Sequence, residues 1–137
     1  YVKDELQTTS AQGKADAAGN AERGGFVIKA KRLYGEALAE GDARAVTRHR
    51  YAWLLASEDD DVGAAEQWRA AVEADPMEAL YRYYLGRLLY KDMGLKEEGL
   101  GHLRLARDMN PAGIFDDSWR ERIEVDWGRP SRKSARS

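Results

Sequence analysis

Small and large apolar residues recur along the chain at a fixed spacing. Ala30, Tyr34 and Ala37 follow a small-x3-large-x2-small pattern, which Ala64, Trp68 and Ala71 repeat and Gly99, Leu103 and Ala106 repeat again. Ala30 to Ala64 is 34 residues and Ala64 to Gly99 is 35. Positions three and four apart share one face of a helix, so each block predicts an amphipathic helix whose small residues admit a close neighbour. A second pair lies upstream in each period: Tyr51-Ala52 with Leu55, and 34 residues on, Leu85-Gly86 with Leu89. Two helices per period predict stacked helical hairpins, because each hairpin buries its apolar face only against its neighbours.

The breaks between blocks carry helix-stopping residues. Asp75-Pro76 and Asn110-Pro111 each place a proline five residues after the second small position, and the first block ends in Gly41-Asp42 instead. Proline lacks the amide proton that would continue a helix. With these positions in place, the chain resembles the tetratricopeptide repeat (TPR) family, a helix-turn-helix with the signature W-x2-L-G-x2-Y, then A-x3-F, then P. Residues 79–111 carry it most fully, with Leu85, Gly86, the turn Gly94, Gly99 in place of the usual alanine, Leu103, Ala106 and Pro111, and one extra residue near Asp92-Met93. Residues 45–78 supply Tyr51, Ala52, Leu55, Ala64, Trp68, Ala71 and Pro76. Both repeats depart from the family by placing Arg48 and Arg82 where its early Trp belongs.

The resemblance implies an all-α fold, an α-solenoid of antiparallel helix hairpins in a TPR-like superhelix with a C-terminal capping helix. Residues 26–44 form a half repeat, 45–78 and 79–111 the two full repeats, and 112–127 the cap. In the cap, Asp116, Asp117 or Ser118 starts a helix whose apolar positions are Trp119, Ile123 and Trp127. The first 25 residues are expected to be poorly ordered or a degenerate first helix. Residues 7–25 hold no Val, Ile, Leu, Met or aromatic residue, and Gly13, Gly19, Gly24 and Gly25 weaken a helix there. Ala17, Ala18 and Ala21 nonetheless fall on the repeat's small positions, so a helix with a small-residue face is the alternative. Residues 128–137 read as a basic, disordered tail with Arg129, Arg132, Lys133 and Arg136 and no acid.

The family's first helices line a concave groove, and the matching positions here are Val46, His49, Trp53, Ala56 and Ser57, then Leu80, Tyr83, Arg87, Tyr90 and Lys91. Among these, His49, Trp53, Tyr83, Arg87, Tyr90 and Lys91 make the expected partner-binding groove aromatic and basic. Arg grips carboxylates in a planar fork and aromatics bring large contact area, so the expected ligand is a peptide or partner segment with apolar and acidic residues. Some rings could instead fill the hairpin core, Tyr90 above all. The family's carboxylate clamp for chaperone tails needs Asn in the groove, which these positions lack, and only Arg87 matches it.

Composition narrows the alternatives. With 22 Lys+Arg against 24 Asp+Glu in 137 residues, the net charge is −2, which points to neither nucleic acid nor membrane. Without cysteine there is no disulfide framework and no thiolate zinc site, a pattern that fits a reducing compartment, and the cytoplasm is the expected location. The chain opens on Tyr1 rather than Met, which leaves a longer parent protein open. His49 and His102 have no acidic or histidine partner at metal-ligand spacing, Glu58-Asp59-Asp60-Asp61 lacks an EF-hand's alternation, and Gly24-Gly25 lacks the ending of a phosphate loop. No catalysis, metal or cofactor is therefore expected. The reading is a protein-protein interaction scaffold or adaptor. A structural or self-associating module within a larger protein is its alternative, and RNA binding through the groove and tail is a weaker third.

Overall fold

The computed structural model describes residues 10–109, and all regular structure among them is helical. The elements are α1 (Ala11–Arg23), α2 (Val27–Ala39), α3 (Ala45–Ser57), α4 (Asp61–Ala74), α5 (Ala79–Arg87), which continues as a π turn over Leu88–Asp92, and α6 (Lys96–Met109). They pair as the hairpins α1–α2, α3–α4 and α5–α6. The chain falls into two compact units, one running to Ala74 and the other starting at Asp75. The expected capping helix over 112–127 and the basic tail over 128–137 lie outside the described residues.

In the first unit, α1 answers the question the glycines raised. Residues 11–23 form a regular helix, the small-faced of the two alternatives left open for that stretch. The Ser10 hydroxyl accepts from the Gly13 amide at 2.9 Å and caps its start. Ala15, Ala18, Gly19 and Ala21 are buried, so tight approach to α2 replaces the bulk that the sequence lacks. Ala18, Ala21, Ala30, Leu33, Tyr34 and Leu54 form one core cluster. Tyr34 ties three helices, donating its hydroxyl to the Glu22 carboxylate of α1 at 2.9 Å and stacking on Tyr51 of α3 with ring centroids 5.7 Å apart. At the other end of the hairpin Lys14 pairs with Glu36 and Glu40.

Three helix ends close in the same way. After α1, the Gly25 amide bonds the Glu22 carbonyl and the Phe26 amide bonds Ala21, with Gly25 at φ +83°. After α2, Gly41 bonds Leu38 and Asp42 bonds Ala37, with Gly41 at φ +107°. After α3, Asp59 bonds Ala56 and Asp60 bonds Leu55, with Asp59 at φ 62°. These left-handed caps turn each helix directly into the next. Between α2 and α3 the Asp42 side chain is fully buried. It accepts from the Arg44 amide at 3.1 Å, from Arg44 Nε and Nη2 at 3.0 Å, and from the Thr47 hydroxyl at 2.8 Å.

The second unit carries the extra residue that lengthens its repeat. The Met93 amide reaches back to Leu88 and the Leu95 amide to Leu89, so the wide turn over Leu88–Asp92 takes up the insertion before Gly94 reverses the chain at φ +70°. Its helices cross at two glycines. A Cβ on Gly86 would lie 2.8 Å from the Gly99 carbonyl, and one on Gly99 would lie 2.8 Å from the Gly86 carbonyl and 2.7 Å from the Tyr90 amide nitrogen. Ala79, Tyr83, Tyr90, Leu103 and Ala106 pack around that crossing.

Candidate functional site

The exposed face of α3 is the better-formed part of the expected groove. Val46, His49, Trp53 and Ser57 lie within one sector of the helix, while Thr47, Ala52, Leu54 and Leu55 fill the interior. Trp53 keeps 49% of its surface exposed, with Val46 and Ser57 exposed on either side along the helix. His49 is half-buried at the base of this face. Its Nδ1 accepts from the Trp68 indole N–H of α4 at 2.9 Å, with the two rings tilted at 42°. That bond leaves the proton of neutral imidazole on Nε2. Burial, with the Arg50 charge second, holds the imidazole below the usual histidine range. The neutral ring is therefore the favoured form, and His49 acts as a hairpin strut as well as a surface group.

Arg48, which stands where the family's Trp belongs, donates to Gln67 across the same hairpin at 3.2 Å. A hydrogen bond from a charged donor to a neutral amide there replaces an aromatic contact. Burial, with Asp60 second, raises the Tyr51 hydroxyl above its ordinary range, so Tyr51 stays neutral beneath this face.

On α5 the structure separates the expected groove residues. Tyr83 and Tyr90 are buried in the hairpin core with Leu103 and Ala106, which corrects their assignment to an accessible face. The reason lies in α5 itself, where Ala79, Tyr81, Tyr83, Leu85 and Gly86 are all buried, so the helix is enclosed on most sides and has little free face to offer. The π turn then holds more residues per turn than an α-helix, which shifts the phase of the positions after Arg87, and Tyr90 lies inward. Arg87 stays half-buried, its guanidinium 5.3 Å over the Tyr83 ring and Nη1 3.4 Å from the Tyr83 hydroxyl. Lys91 is exposed on the π turn, and Lys96 lies 5.1 Å over the Tyr90 ring.

Sequence reasoning missed an exposed apolar group at the start of α2. Phe26 and Ile28 are 64% and 87% exposed. The signal was present in Phe26-Val27-Ile28, three large apolar residues in a row at a helix start, where one buried face can take only part of them. Among the described residues there is no group of three or more acidic or histidine side chains that could hold a metal ion, and no helix long and apolar enough to cross a membrane.

No protein-family model matches the chain, and no curated protein matches it in sequence. Solved structures do. The type III secretion chaperone SycD of Yersinia enterocolitica, in complex with a peptide of the translocator YopD, superposes with a TM-score of 0.68 at 12% identity, over 82% of this chain and 85% of the chaperone. A second structure of that chaperone gives 0.65 at 12% identity, over 85% and 86%. A mutant O-GlcNAc transferase of Thermobaculum terrenum gives 0.65 at 25% identity over 92% of this chain, which spans only 26% of the transferase. With its antiparallel hairpins, its small-residue crossings and these neighbours, the chain has a TPR-like helical-repeat fold.

Proposed function

We propose that the chain is a protein-interaction module that binds a peptide or partner segment on the exposed face of α3, and that it performs no chemistry of its own. The observation that carries this reading is Trp53. A half-exposed tryptophan flanked by Val46 and Ser57 is costly to leave in water and is the residue type that most often anchors a protein contact. Arg50, exposed on the same helix, favours carboxylates beside the apolar anchor, so the segment bound is apolar and acidic. A fold-level parallel supports a peptide as ligand, since the chaperone SycD, with the same kind of fold, was solved with a peptide of the translocator YopD.

Selection of binders from a random peptide library tests the reading. The expected result is enrichment of acidic and apolar residues, a loss of affinity of about tenfold or more in Trp53→Ala, and an unchanged circular dichroism spectrum. Peptides that bind Trp53→Ala as well as wild type would place the site elsewhere.

A further inference from the structure

The first unit carries two hairpin turns of opposite charge at the same end. Its four helices alternate in direction: Lys14 at the start of α1 meets Glu36 and Glu40 at the end of α2, and His49 early in α3 meets Trp68 late in α4. At the opposite end Leu54 of α3 packs with Ala21 and Ala30, so the α1–α2 and α3–α4 turns are neighbours. From Arg23 to Gly35 the chain holds Arg23, Lys29, Lys31 and Arg32 and no acid. From Glu58 to Trp68 it holds Glu58, Asp59, Asp60, Asp61 and Glu66 and no cation. Each turn also exposes large apolar side chains, Phe26 and Ile28 on the basic one and Val62, 63% exposed, on the acidic one.

We propose that this end of the unit docks on the same end of a second copy, across a two-fold axis that runs between the turns, basic turn against acidic turn. A two-fold contact requires a patch complementary to itself, and adjacent turns of opposite sign meet that requirement. A partner of one sign, such as an anionic lipid surface, would attract one turn and be repelled by the other. Several charges are already engaged within the chain: Arg32 with Glu36, Arg23 with the Asn20 side chain, and Asp60 with the Gly63 amide. Lys29 and Lys31 on the basic turn and Glu58, Asp59 and Glu66 on the acidic one remain for the pairing between copies, and Lys29 and Glu58, both exposed, represent the two turns in the test. Exposed ion pairs alone contribute little, so covering Ile28 and Phe26 with Val62 supplies the attraction and the charges set the register.

Sedimentation equilibrium of the full chain tests this. Wild type is expected to dimerise reversibly at low ionic strength and to weaken in about 0.5 M salt, where charges are screened within a few ångströms. Ile28→Asp, Lys29→Glu and Glu58→Lys are each expected to raise the dimer dissociation constant by about tenfold or more with unchanged helicity. Lys29→Glu mixed one to one with Glu58→Lys is expected to recover the dimer, because only the mixed pair restores both opposite-sign contacts. A wild-type chain that stays monomeric at low salt, a dimer indifferent to these substitutions, or a mixture no better than its components overturns the proposal. So does a monomeric chain that floats with anionic vesicles and loses that binding in Lys29→Glu, which would assign the turn to a membrane surface.

Discussion

Gly99 and Gly101 sit two residues apart on α6 in opposite surroundings. A methyl group on Gly99 would meet backbone atoms at 2.7 and 2.8 Å, which cannot swing aside, whereas one on Gly101 meets nothing within 4 Å among the described residues. Gly99→Ala should therefore destabilise the second unit by about 1–3 kcal/mol despite its gain in helix propensity. Gly101→Ala should stabilise it by up to about 1 kcal/mol. Urea denaturation of the two variants checks both signs. The titrating residues of the first unit separate by pH in the same residue-level way. His49 is held below its ordinary range, so as pH falls the unfolded chain takes up this proton first, and stability declines from about pH 6.5 downward. For Asp42, burial raises the carboxyl, but the Arg44 and Thr47 hydrogen bonds outweigh it and leave it lowered. Its contribution is complete above about pH 4 and disappears as pH falls through the folded value. His49→Gln, which keeps an acceptor for Trp68, should flatten the upper part of a melting-temperature profile and leave the acid limb in place.

At the scale of elements, α2 to α6 were legible from small and large residues at a constant phase, because close crossing demands small side chains wherever it occurs. α1 was not, since its face is built from alanine and glycine alone, and a pattern without large residues looks the same in a helix as in a flexible segment. The extra residue near Asp92-Met93 was visible as a count, but nothing in the residue types specified the π turn that absorbs it. Asp92 is the last residue of that turn, exposed and past Tyr90, whose amide packs on Gly99, so removing Asp92 should leave the hairpin folded and within about 1 kcal/mol of wild type. Removing Leu85 instead should unfold the second unit, because it throws every later core position of α5 out of phase. Circular dichroism with urea titration of the two deletions distinguishes these outcomes.

For the molecule as a whole, the fold could be read from the period but the candidate site only in part. Family phase places both Trp53 and Tyr83 on the groove-lining face, yet α3 keeps Thr47, Ala52, Leu54 and Leu55 inside and leaves its tryptophan outside, while α5 is enclosed on most sides and draws its tyrosine in. Which ring faces water depends on the whole hairpin's packing, and a position in a motif does not carry that information. The two tryptophans of the second hairpin make the contrast measurable. Trp68→Ala, which empties a buried site, should cost about 3–5 kcal/mol, whereas Trp53→Ala should stay within about 0.5 kcal/mol and change binding instead. Differential scanning fluorimetry of both variants separates them.

The widened turn after α5 shows which part of the repeat is constrained. Each glycine's carbonyl sits against the place a Cβ on the other would occupy, which leaves no slack, so the crossing fixes how the helices meet, while the turn takes up the extra residue. Repeat length is then a tolerance and crossing chemistry a requirement. Insertions in such a chain should accumulate at hairpin turns of this kind, and substitutions that enlarge residue 86 or 99 should be the ones that natural variation avoids.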